Sequence, residues 1–186
     1  MIEAFYLALY LLVLSPLLYH FGITSPFWIF IALMILTIPG LYAMVKGAPY
    51  LPTTKKRVQK MIKLADIKKG TKVSDLGSGD GRLVFAAAKD GAIAKGYELS
   101  VPLYIWTKTK SFFTPNVTFH YKDFWRVDHS DQDVIFCFLL VETMKRFETD
   151  IWTTLKPGTK VISNSFRLPN EQPVFDEDGV KMYIKS

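Results

Sequence analysis

Apolar residues along the chain change their spacing twice, and each change marks a different kind of element. Residues 4–19 (AFYLALYLLVLSPLLY) and 27–45 (FWIFIALMILTIPGLYAMV) are nearly unbroken apolar runs separated by HFGITSP. A membrane-crossing helix needs roughly 20 such residues, with about 17 as a lower limit. The second run meets that length, and the first is short and carries Pro16. From residue 55 the spacing becomes helical: Val58, Met61, Ile62 and Ala65 share one face, and Lys55, Lys56, Gln59, Lys60 and Lys63 occupy the rest. Pro49 and Pro52 precede this helix in an extended or turned linker, and Thr53 or Thr54 is placed to cap it.

Beyond Lys68-Lys69-Gly70 the pattern alternates strand and helix. KVSDL, AIAKGYELS and DVIFCFLL read as strands, the last as a fully buried one, and RLVFAAAKDG reads as a helix. KPGTKVISNSF is a Pro-Gly turn into a further strand with Asn164, Ser165 and Phe166 at its rim, and VKMYIKS is expected as the final edge strand. Alternation of this kind predicts an α/β fold around a largely parallel sheet.

Charge sharpens the division. The chain has 186 residues and a formal charge of +6, with 23 Lys and Arg. Every one of these cations lies from Lys46 onward, and Glu3 is the only carboxylate before it. The expected organisation is a two-span membrane hairpin over 1–46 (spans 4–19 and 27–45), a linker and basic amphipathic helix over 47–71, and an α/β domain over 72–186. Cations following the second span place that domain on the cytosolic side. The basic helix is then expected to meet lipid headgroups. A signal peptide is disfavoured, because no basic leading region or small-residue cleavage site precedes the second run. The single cysteine, Cys137, excludes a disulfide framework within the chain and sits in a core-like strand.

The chemistry concentrates in SDLGSGDGRLV, residues 74–84. Glycines at 77, 79 and 81 follow G-x-G-x-G, whereas the dinucleotide turn wants a glycine where Arg82 stands, and no G-K-S/T follows for a phosphate loop. Asp75 and Asp80 in the same turn would repel pyrophosphate and suit a ligand bearing positive charge and hydroxyls. Glu98 ends the next strand some twenty residues on, where an acid accepts ribose hydroxyls. Asp123 beside Phe124 and Trp125 offers a carboxylate for an exocyclic amine and rings for a base. These features converge on S-adenosylmethionine. His120 and His129 read as structural or solvent-facing, no metal-ligand cluster is visible, and no pairing suggests covalent catalysis.

The segments DLGSGDGR, GYELS and YKDFW resemble the first three signature segments of the class I (seven-strand) methyltransferases. Together with PYLPTT before the helix and the apolar amino terminus, they are similar to one family of small membrane-anchored protein lysine methyltransferases. Its mitochondrial members modify the c-ring protein of ATP synthase and the adenine nucleotide translocase, and prokaryotes carry relatives. The resemblance implies a Rossmann-like sheet and S-adenosylmethionine as cofactor. It implies that Asp75, Gly77, Ser78, Gly79, Asp80 and Gly81 form the methionine and ribose side of the pocket. Glu98 with Leu99 would take the ribose, and Asp123 with Phe124 the adenine. It singles out no catalytic residue. Relatives often carry an aromatic residue and a proline after the fourth strand, where this chain has Phe138 and then Val141. Trp125, Phe138 and Phe166 are the candidate walls of a channel for a lysine amine. The expected partners are membrane lipid and a lysine of a membrane protein, with neither nucleic acid nor metal. A methyltransferase for a lipid or small membrane metabolite, and a non-catalytic cofactor-binding scaffold, are the rival readings.

Overall fold

A computed structural model describes residues 15–20, 31, 34 and 51–186. The chain divides into two units, Met1–Tyr42 and Ala43–Ser186. In the first, helix α1 covers Ser15–His20. Among the described residues no helix is long and apolar enough to cross a membrane. This corrects the expected two-span hairpin, and with it the membrane localisation and the lipid contact inferred from charge asymmetry. Most of 4–19 and 27–45 lies outside the described residues.

In the second unit, α2 is Lys55–Ala65. Thr54 caps it, its side chain accepting from the Arg57 amide at 3.4 Å, and Asp66 ends it in a left-handed turn at φ 50°. Met61 and Ala65 are buried, with Val58 and Ile62 packed beside them. At its far end Lys160 Nζ donates to the Ala65 carbonyl at 2.9 Å, which ties the helix to the sheet.

The sheet has seven strands: β1 (Lys72–Leu76), β2 (Ile93–Glu98), β3 (Val117–Tyr121), β4 (Val134–Cys137), β5 (Lys160–Asn164), β6 (Phe175–Glu177) and β7 (Val180–Ile184). Their order is β3-β2-β1-β4-β5-β7-β6. The first five strands are parallel, and β7 runs antiparallel to both β5 and β6. The carboxyl-terminal run VKMYIKS, expected at the edge, instead lies between β5 and the short β6. The turn at Asp178–Gly179, where both residues have positive φ, folds β6 outside it.

Helices α3 (Arg82–Lys89) and α4 (Val101–Ser111) link β1 to β2 and β2 to β3, and α5 (Val141–Asp150) links β4 to β5. Strand β4 shows why two apolar layers form. Val134 and Phe136 join Met61, Val84 and Phe119 on one face, while Ile135 and Cys137 join Met144, Phe147 and Trp152 on the other. A strand covered on both faces loses polar alternation, hence the unbroken apolar run in DVIFCFLL. The chain moves outward from β1 to β3, then returns to place β4 on the opposite side of β1. At such a switch of direction the strand exits open a crevice, and ligands of open α/β sheets bind there.

Candidate active site

Main-chain bonds set the shape of the loop behind β1. The amides of Gly77 and Ser78 both donate to the Tyr97 carbonyl, at 3.0 and 2.9 Å, and Gly81 N donates to Ser78 O at 2.8 Å. Glu98 completes the attachment by accepting from Gly79 N at 2.8 Å. The loop is thereby fastened to the exit of β2. Two glycines allow this closeness. A Cβ on Gly81, whose φ is +77°, would stand 2.6 Å from the Phe119 ring, and one on Gly96 would stand 2.6 Å from that ring and 2.7 Å from Ser78 Oγ.

Three carboxylates gather at this loop. Asp75 is 5% exposed, and its carboxyl is pushed up to about 8, mainly by burial and then by the nearby charges of Glu98 and Asp80. Asp80 is held by Arg82, whose Nε donates to Oδ1 at 2.8 Å and whose Nη2 meets Oδ2. It therefore braces the start of α3 as well as facing the loop. Glu98 does more than the strand-tip role predicted for it: besides Gly79 it accepts from Leu99 N at 2.9 Å and Ser100 N at 2.7 Å. An ionised carboxylate offers about four acceptor sites, so three amides leave room for a hydroxyl. Ser78 Oγ is buried without a partner. A pocket that holds one carboxyl protonated, first by burial and then by two neighbouring acids, is suited to a ligand with a positive charge, and S-adenosylmethionine fits that description.

The segment expected to hold a base is arranged differently from its sequence reading. Asp123 caps the short 3-10 turn Phe124–Arg126, accepting from Trp125 N at 3.2 Å. Phe124 is buried among Leu76, Tyr97 and Ile135, so its ring serves the core. Trp125 is half-buried, with the Arg146 guanidinium 4.1 Å from its ring centre. His129, read as structural or solvent-facing, is buried, and its Nε2 donates to the Phe124 carbonyl at 3.0 Å. Burial also holds its pKa below the usual histidine value.

At the exits of β4 and β5, Phe138 and Phe166 stack with ring centres 6.3 Å apart. Trp125 does not join them; its ring contacts are Phe124 and Arg146. Cys137, at the end of β4, is buried and its thiol is pushed up to about 12 by burial, which makes it inert as a nucleophile. Two contributors were not foreseen. Arg57 reaches from α2 to donate to Asn164 Oδ1 at 2.8 Å and Ser165 Oγ at 3.1 Å. Thr53, considered only as a cap, instead binds Asn164 and Arg82. Nothing local to either residue signals a partner more than a hundred positions away. Among the described residues no cluster of three metal-ligating side chains forms.

Residues 75–175 match the family model described as the ANTKMT methyltransferase domain. A lysine N-methyltransferase of the ATP synthase c-ring protein, from Xenopus laevis, is 35% identical over 129 residues, covering 67% of this chain and 56% of the frog protein. A protein-lysine N-methyltransferase from Saccharolobus islandicus (strain REY15A) is 32% identical over 143 residues, covering 73% of this chain and 89% of the archaeal one. The chain thus spans about half the length of the frog relative and most of the archaeal one. Among solved structures, an RNA methyltransferase from Salinibacter ruber in complex with S-adenosyl-L-homocysteine superposes with a TM-score of 0.68 at 29% identity, over 73% of this chain and 94% of that one.

Proposed function

This chain belongs to the ANTKMT methyltransferase domain family, and from that premise we propose that it transfers a methyl group from S-adenosylmethionine to the side-chain amine of a lysine in a protein. The observation that carries the reading is the two-sided crevice. An acidic, glycine-lined loop lies on one side, and a stacked aromatic pair lies at the exits of β4 and β5 on the other. The frog and archaeal relatives are both named as lysine N-methyltransferases, so lysine is what we carry over.

When bound, S-adenosylmethionine supplies a sulfonium-activated methyl group. The remaining work is orientation and desolvation by this chain's own groups. Glu98 presents negative charge toward the ligand, fixed by the Gly79 and Leu99 amides, and Asp75, which keeps its proton in the empty pocket, releases it to meet the cationic end. Phe138 and Phe166 form an apolar wall in which an entering ammonium loses part of its preference for charge, lowering its pKa toward the neutral, nucleophilic amine. Holding that amine in line with the methyl group converts a bimolecular encounter into an oriented one.

The test is incubation of the purified full chain with methyl-radiolabelled cofactor and an extract of its host, separated into protein, lipid and RNA fractions. Label in a protein band that yields methyl-lysine on hydrolysis supports the proposal. Label in lipid or RNA, or none while S-adenosylhomocysteine still binds, overturns it.

A further inference from the structure

Leu51, Pro52 and Thr54 are exposed, yet Thr53 between them is 7% exposed. Two bonds hold it inward. Its Oγ1 accepts from Asn164 Nδ2 at 3.1 Å, and its carbonyl accepts from Arg82 Nη1. These partners belong to opposite sides of the crevice. Arg82 opens α3 immediately behind the glycine loop, and Asn164 closes β5. Because β4 lies between β1 and β5 in the sheet, a residue bonded to both sides stands across the exit of β4.

The contacts on each side extend further. Arg82 grips Asp80 through Nε and Nη2, and Asn164, itself 1% exposed, accepts from Arg57 Nη1 at its Oδ1. One polar chain therefore runs Asp80–Arg82–Thr53–Asn164–Arg57, from the loop to the rim beside Phe166. Arginine's planar fork makes such a chain rigid, since three of its nitrogens are committed in fixed directions.

We propose that residues 51–54 form a strap across the crevice, and that Thr53 is a positioning residue which makes the hold on the cofactor depend on the β5 rim. With the strap bonded, the Arg82 fork is fixed against Asp80 and the glycine loop stays closed on its ligand. With the strap released, the fork turns and the ligand leaves. This rests on reading the crevice as an S-adenosylmethionine site.

Thr53→Val keeps the side chain's size, removes the Oγ1 acceptor and leaves the carbonyl. It should release S-adenosylhomocysteine about fivefold faster in stopped-flow displacement, which corresponds to roughly one neutral hydrogen bond. Thr53→Ser, which keeps the hydroxyl, should release it at the parent rate. Arg82→Lys retains the charge beside Asp80 but loses the fork, and combined with Thr53→Val it should add less than its separate effect, as partners in one network do. Independently of any substitution, hydrogen exchange at the amides of residues 53–55 in the parent chain should slow when S-adenosylhomocysteine binds. Parent-like release from Thr53→Val, additive effects in the double variant, or unchanged exchange at 53–55 would each overturn the strap. A parent chain that does not bind S-adenosylhomocysteine would overturn the reading of the crevice itself.

Discussion

The two sides of the crevice are made of different material. At the exits of β1 and β2 the working surface is main chain: the amides of Gly77, Ser78 and Gly79 are committed to Tyr97 and Glu98, and the glycines let the loop lie against Phe119. At the exits of β4 and β5 the surface is side chain: Phe138 on Phe166, and Asn164 with Ser165 bound to Arg57. A main-chain surface survives substitution of most of its residues, whereas a side-chain surface changes with each one. That division suits a fold that keeps one cofactor and varies its acceptors.

Gly81→Ala is the severest test of the main-chain side. The methyl group would need a left-handed backbone and would stand 2.6 Å from the Phe119 ring. Left-handed strain of about 1–2 kcal/mol adds to overpacking of about 1–3 kcal/mol. We expect a loss of about 3.5 kcal/mol in urea unfolding, the middle of that combined range, and no measurable S-adenosylhomocysteine binding in calorimetry. A variant that melts and binds like the parent would show that the loop does not need its close approach to Phe119 of β3.

Glu98→Ala ranks second. The carboxylate accepts three main-chain amides, so its removal frees the loop as well as losing the hydroxyl acceptor proposed for the ribose. Bonds to a charged group contribute roughly 1.5–3 kcal/mol each, and water entering the gap restores much of this. A net loss of about 2 kcal/mol in binding, roughly 30-fold in affinity, should come with a lower melting temperature of the ligand-free chain. Glu98→Gln keeps an acceptor oxygen and should lose less on both counts. A large affinity loss at constant melting temperature would separate ligand contact from loop support and so sharpen the comparison.

These differences also explain what was legible in the sequence. The loop was readable because its requirements are local: three glycines, two acids and a strand before a helix fall within eleven residues. The parallel sheet was readable from alternation, and the buried run at β4 from its lack of polar positions. The place of β7 was not, because a strand's neighbours depend on long-range pairing, and the terminal run gave no sign that Phe175–Glu177 would fold outside it. Asp123 and Phe124 were read as holding an adenine, but a local pattern does not tell whether the Phe124 ring meets a ligand or packs against Leu76 and Tyr97, as it does. Thr53 and Arg57 act through partners on β5 and α3 that only the folded chain brings near. The apolar run at 27–45 met the length rule for a spanning helix and the run at 4–19 fell short of it; most of both lies outside the described residues, which carry no such helix.

Asp75 offers a smaller effect with a definite sign. Its carboxyl, raised from 3.8 to about 8, keeps its proton in the folded chain after the unfolded chain has released it. Between those values the folded state binds more protons, so the stability of the ligand-free chain should fall as pH rises from about 4 to about 8 and level off above. Glu98 and Asp80 are the acids that face it. Asp75→Asn copies the neutral form. Its melting temperature should vary less across that window and stand about 3 °C above the parent at about pH 8, roughly 1 kcal/mol for a unit of this size. Binding of S-adenosylmethionine should weaken at the same time, since an amide cannot ionise to meet the cation. Parallel melting curves for parent and variant across the window would mean that Asp75 ionises in the fold as it does in water, and the pocket would lose its claim to select a cation.

The smallest expected effect on the cofactor comes from the opposite side. Phe138 and Phe166 are half-buried and stacked, and neither bonds the glycine loop. Replacing either by Leu keeps an apolar wall and removes one ring, at ~1 kcal/mol or less in stability given the exposure that remains. S-adenosylhomocysteine affinity should therefore stay within about twofold of the parent. Methyl transfer should not be spared, because a gap in the wall admits water, restores the acceptor amine's charge and loosens its line of approach. We expect transfer to protein to fall by about tenfold at saturating cofactor, with a steeper dependence on pH as the amine must lose its proton nearer its ordinary value. Phe166→Leu should be the milder of the two, since Phe166 follows the left-handed Ser165 in a segment able to adjust, whereas Phe138 continues directly from β4. An equal fall in cofactor affinity and transfer would mean that the aromatic pair holds the cofactor, and the crevice would then be one site with a single lining, not two surfaces built of main chain and side chain.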